Sequence, residues 1–156
     1  MFRLSSATRI ALAVVAILGV AGPVVAGEQV PFKGSLEGTV TRSLPPPPIS
    51  VLVEGTGKAT QLGLFTVDIP HVVVPPNASG FYHFVAANGD TLTAEFTGVS
   101  ALAAPGLLYI VETATITGGT GRFAGATGSF VCERLYDIAA GATIGSFDGT
   151  ISAPGS

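Results

Sequence analysis

The sequence predicts an all-β fold of eight consecutive antiparallel strands, closed into a barrel or stacked as a sandwich. Three observations predict it. Beyond residue 26, no stretch carries apolar residues at helical spacing between capping signals. Instead, runs rich in Val, Thr, Phe and Ile are cut by Gly, Pro and Asn at 30–41, 49–57, 62–74, 80–88, 90–102, 106–117, 123–137 and 144–153. Most of the 21 glycines fall in or beside these runs, where they permit the sharp bends of a small barrel.

The first 26 residues read differently. Arg3 and Arg9 are their only charges, Ile10 to Val20 is an uncharged apolar run, and Pro23 breaks the chain ahead of Val24 and Ala26. A basic start, a short apolar middle and small residues three and one before the exit make a secretory signal, cleaved after Ala26 or after Ala21. The alternative is an uncleaved anchor, but Ile10 to Ala26 lies at the bottom of the spanning range and is interrupted by Gly and Pro. The expected organisation is a signal peptide over 1–26 and a single β-barrel domain over 27–156, exported to the extracellular space or a periplasm.

Removing Arg3 and Arg9 leaves five of seven Lys/Arg against ten Asp/Glu, a net charge of −5. Five scattered cations make no basic patch, which argues against nucleic acid and, once the signal is gone, against anionic membranes as partners. Cys132 is the one cysteine, so the domain has no internal disulfide and must stand on packing and hydrogen bonds. A buried, inert thiol is the expectation, with a reactive one as the alternative.

Leu44-Pro45-Pro46-Pro47-Pro48 separates the first two runs and reads as a stiff connector rather than a polyproline ligand. Pro75-Pro76-Asn77-Ala78-Ser79-Gly80 reads as a second loop, with an Asn-X-Ser acceptor at Asn77. Asn88-Gly89 is a two-residue turn signal. It pairs Val85 with Leu92, His83 with Ala94 and Phe81 with Phe96. A turn near Ala103-Ala104-Pro105 then pairs Phe96 with Glu112 and Leu92 with Ile116. Alternation sends Phe81, His83, Val85, Leu92, Ala94, Phe96, Ile110, Glu112 and Ile116 to the core, and the threonines from Thr91 to Thr117 outward. Tyr82, Phe84, Tyr109 and Val111 fall on the outer face, as a subunit contact or as scattered apolar residues.

Chemistry is sparse. Gly118-Gly119-Thr120-Gly121 lacks the following helix that a dinucleotide-binding turn requires and reads as a hairpin corner. Glu112 is the one weak catalytic candidate: a carboxylate on an apolar face is costly to ionise unless paired, which suits a general acid or base, unless it sits solvated at a barrel mouth. His83 is the other ionisable group expected on that face, roughly 12 Å away on a flat sheet. Arg134 shares the inward parity of Phe130 and Cys132. A hairpin centred on Gly119-Thr120 places it about 20 Å from Glu112, too far to pair. Asp68 and His71 are three apart, on opposite faces of a strand, and no His-X-His or cysteine cluster suggests a metal.

Several segments together resemble a known family: Gly57-Lys58-Ala59-Thr60-Gln61-Leu62-Gly63, Asn88-Gly89-Asp90, Phe147-Asp148-Gly149-Thr150-Ile151 and, above all, Gly118-Gly119-Thr120-Gly121-Arg122-Phe123-Ala124-Gly125-Ala126-Thr127-Gly128. The set is similar to bacterial secreted proteins of the allene oxide cyclase barrel-like type, and the Gly-Gly-Thr-Gly-X-Phe segment is similar to that of plant dirigent proteins. The resemblance implies an eight-stranded antiparallel barrel, often a homotrimer, with a pocket at one end and no cofactor. Three functions follow as expectations. The first is a barrel that binds a small apolar ligand in a pocket of Phe81, His83, Phe96, Ile110 and Glu112. The others are a cofactor-free isomerase or cyclase using Glu112, and a self-associating surface protein.

Overall fold

The computed structural model describes residues 27–155, so the predicted signal over 1–26 lies outside the described residues, as does Ser156. The eight strands are β1 (Gln29–Arg42), β2 (Ile49–Ala59), β3 (Gly63–Val74), β4 (Asn77–Ala86), β5 (Thr91–Ala104), β6 (Leu107–Gly119), β7 (Gly128–Asp137) and β8 (Ala142–Ser152). Each pairs antiparallel with the next, and β1 pairs with β8, closing the barrel and leaving no free sheet edge among the described residues. Buried and exposed residues alternate along most of the strands, as in Phe130, Cys132, Arg134 and Tyr136 of β7, so one face fills the interior.

The strands have two kinds of end. At the first, the interior holds five phenylalanines. Phe32 stands 5.0 Å from Phe147 and 5.4 Å from Phe130, and Phe65 meets Phe84 edge-on at 5.2 Å. Inward glycines make the room: a Cβ on Gly34 would lie 2.6 Å from the Phe147 ring, and one on Gly149 would run into Phe130. The loop from Thr120 to Thr127 plugs this end. Its single 3-10 turn, Gly121–Phe123, buries Phe123 against the core. Arg122 lies 4.5 Å over that ring, pairs with Asp90 at 2.9 Å and donates to the Gln61 carbonyl at 3.1 Å, tying three loops together. Gly121 (φ +59°) takes a conformation other residues resist, and a Cβ there would strike the Asp90 carboxylate. The glycine-rich motif is thus a barrel plug built on a 3-10 turn, not the hairpin corner expected of it.

The second end is the mouth, formed by the connections after β1, β3, β5 and β7 and by the strand residues around Arg42, Ile49, Val73 and Leu108.

Two predicted registers are wrong, each for a local reason. The β4–β5 loop has three residues, not two: Ala86 N–H donates to the Asp90 carbonyl, Gly89 N–H donates to the Ala86 carbonyl, and Gly89 sits at φ +91°. Phe84 therefore faces Leu92 and Val85 faces Thr91, a slip of one residue that exchanges the two faces of β4. Tyr82 and Phe84 are fully buried, whereas Phe81 and His83 point outward, Phe81 being 50% exposed. In β5–β6, Phe96 faces Ala114 and Glu112 faces Gly98, a slide of two that preserves parity; Leu92, Ala94, Phe96, Glu112 and Ile116 are buried as expected. The expected loop 75–80 shrinks to the Pro75-Pro76 turn, and Asn77 opens β4 as an exposed residue.

Candidate functional site

Between the aromatic plug and the mouth lies a polar layer. Glu112 (β6) and Arg134 (β7) are 1% and 2% exposed, and they pair directly. The Arg134 Nη2 donates to Glu112 Oε1, and its Nε donates to Oε2 at 3.1 Å. The Tyr82 hydroxyl of β4 also donates to Oε2. The Arg134 Nη1 donates to the Thr143 hydroxyl at 3.3 Å, and that hydroxyl donates to the Leu135 carbonyl at 2.8 Å. Among the described residues, no buried side-chain nitrogen or oxygen is left without a partner.

This pairing overturns the expectation that Glu112 and Arg134 stand far apart. The β6–β7 connection is not a hairpin over Gly119-Thr120 but the longer plug loop, so Glu112 faces Cys132 and Arg134 faces Ile110. The two ionic residues become diagonal neighbours on one inner face. Glycines again supply the space. Gly98 lies opposite Glu112, where a Cβ would come within 2.9 Å of its Cγ, and Gly145 lies opposite Arg134, where a Cβ would strike its Cγ.

The electrostatics follow from burial. Burial alone would lower the Arg134 pKa, but the Glu112 carboxylate outweighs it and holds the guanidinium above its ordinary value. Burial, reinforced by the Glu112 charge, raises the Tyr82 phenol well above its usual range. Burial and the same charge push the Cys132 thiol up to about 12. Cys132 is fully buried, and a thiol so hard to ionise is no nucleophile at neutral pH.

Above this layer the mouth encloses a cavity of about 270 Å³, at the small end for a ligand pocket. Glu112 and Arg134 lie at its inner end, and Val40, Val51, Val73, Leu108 and Ile110 give it apolar walls. Of the residues predicted to line a pocket, Ile110 and Glu112 do so. Phe96 packs behind His71 and Tyr82, at 5.6 and 5.2 Å between ring centroids, and Phe81 and His83 stack on each other on the outer surface.

The cavity also holds residues that sequence reasoning passed over. His71 (β3) lines it, half-buried, with Tyr136 and Arg42. His71 Nδ1 lies 2.8 Å from the Ile69 carbonyl, which can only accept, so Nδ1 carries the proton and Nε2 the lone pair. Burial lowers its pKa, the Ile69 bond and the Glu112 charge opposing, so the ring is neutral near pH 7. The available clue was the alternation Phe65, Val67, Ile69, His71, Val73, which puts His71 on the inner face.

Two solved structures share this architecture. The pterocarpan synthase dirigent protein GePTS1 superposes with a TM-score of 0.62 at 15% identity, covering 95% of this chain and 99% of its own. The barrel is dirigent-like. The pterocarpan synthase dirigent protein PsPTS1 gives a TM-score of 0.61 at 11% identity, covering 81% of this chain and 96% of its own. No family model and no curated protein sequence matches the chain. At such identities the dirigent-like likeness is one of fold. Among the described residues no helix is long and apolar enough to cross a membrane.

Proposed function

We propose that this dirigent-like barrel is exported and takes up a small apolar ligand through its mouth. The observation that carries this reading is the asymmetry of the interior: one end is filled by aromatic rings, while the other keeps a cavity of about 270 Å³ with apolar walls. An eight-stranded barrel is just wide enough either to be filled by side chains or to hold one small ligand, and this interior is filled at one end and open at the other. The ionic pair at its inner end is internally neutralised and fully hydrogen-bonded, so a ligand meets little unsatisfied charge there.

The alternative of a cofactor-free isomerase using Glu112 is less well supported. Arg134 and Tyr82 already bond both its oxygens, which suits an anchor better than a proton-transfer group. Self-association has its own supporting observation: Val72, Val74, Phe81 and Val99 are 45–55% exposed on the outer face of β3, β4 and β5. Native mass spectrometry of the protein from its own host tests all three elements. The expected result is a chain beginning at Gly27 with a retained small molecule that the cavity-filling variant Val51→Trp loses. A chain carrying nothing in either form, and no subunit assembly, would contradict both the binding and the association readings.

A further inference from the structure

We propose that His71 selects the ligand, requiring of it one neutral hydrogen-bond donor, a hydroxyl or N–H, on an otherwise apolar body. The inference rests on the mouth cavity being a binding site. It follows from an inventory of the cavity's polar groups. Glu112 and Arg134 are committed to each other, to Tyr82 and to Thr143. The Ser100 hydroxyl donates to the Pro76 carbonyl at 3.4 Å. Arg42 is exposed at the rim, where water serves it. The Tyr136 hydroxyl can either donate or accept, so it imposes no sign on a ligand.

His71 does impose one. Its Nδ1 proton is spent on the Ile69 carbonyl, and the Phe96 ring packs edge-on against the imidazole at 5.6 Å. That leaves Nε2 as a fixed acceptor in the cavity wall, without a protein partner among the described residues. A ligand that displaces water from Nε2 without supplying a donor leaves an acceptor unpaired. A site built around an oriented polar atom discriminates in this way more sharply than an apolar wall can.

Indole and benzofuran make the test, because they match in shape and differ in whether the ring heteroatom donates. Dissociation constants are measured with the full mature chain at pH 7.5, alongside methyl shifts that locate the bound probe. Indole should bind about fivefold more tightly than benzofuran, as one net hydrogen bond allows. His71→Leu should bring the two within about twofold, and His71→Gln, whose amide oxygen can accept, should restore part of the preference. Equal affinities in the wild type, or a preference that survives His71→Leu, would overturn the assignment of His71 while leaving the cavity a binding site. If neither probe binds at millimolar concentration, the binding-site reading itself fails, and the selection with it.

Discussion

The two ends of this barrel solve the same problem in opposite ways. At the plugged end, glycines on the inner face are matched to phenylalanines, and one loop carrying Arg122 and Phe123 locks the rings in. At the mouth, Val40, Val51, Val73 and Ile110 are only partly buried and line a cavity of about 270 Å³. The first end carries the stability of the fold, and the second is free to carry a site. The Glu112–Arg134 layer separates them, and a fully bonded ionic partition can face a cavity without an unpaired charge.

The sharpest way to break this contrast is truncation. Phe84→Ala should cost about 4 kcal/mol, the range for a buried ring in a packed core, whereas Val51→Ala at the mouth should cost about 1 kcal/mol. Urea midpoints at constant m-value measure both; equal losses would mean that the mouth is as well packed as the plug. Next is the partition itself. Glu112→Gln leaves Arg134 buried without its counter-ion and should cost about 3 kcal/mol. Adding Arg134→Met to Glu112→Gln should recover much of that loss, since an apolar replacement strands no charge. A double variant worse than the single would show that the pair contributes more than its mutual neutralisation.

A smaller effect is confined to the mouth. The His71 pKa is lowered from 6.5 by burial, so the unfolded chain binds the extra proton first. Stability should therefore be unaffected by this group above pH 6.5 and fall as the pH drops from 6.5 through the lower folded-state value. The charged groups around the same cavity are Glu112 and Arg134 at its inner end and Arg42 at the rim, with the Tyr136 phenol. None of the plug-end residues should share the effect, and His71→Phe should flatten that part of the pH profile. An unchanged slope would place the imidazole in water.

How much of this was legible in the sequence depended on the connections. The eight strands and the inward set of β5 follow from two-residue alternation, which needs no knowledge of neighbours. Register does need it. Asn88-Gly89 signals a two-residue turn, yet Ala87 belongs to the turn as well, and that one residue turns Tyr82 and Phe84 inward and sends Phe81 and His83 out. The plug loop hides the Glu112–Arg134 pair in the same way, because Phe123 has the look of a strand residue and buries itself through a 3-10 turn. Glu112 stands out from its face alone, but its partners lie on β4 and β7, and only the closed barrel brings them together. His71 is legible from the alternation of its own strand, but that strand's inner face offers no second polar group that would mark it as part of a site.

The most direct test of the division between plug and mouth is a methyl NMR titration of residues 27–156 with benzofuran. The account predicts shifts at Val51, Val73 and Ile110 around the mouth, with Leu92 and Ile151 at the plugged end unmoved. Shifts that spread equally to both ends, or that appear only on outer-face residues such as Val72 and Val99, would contradict it.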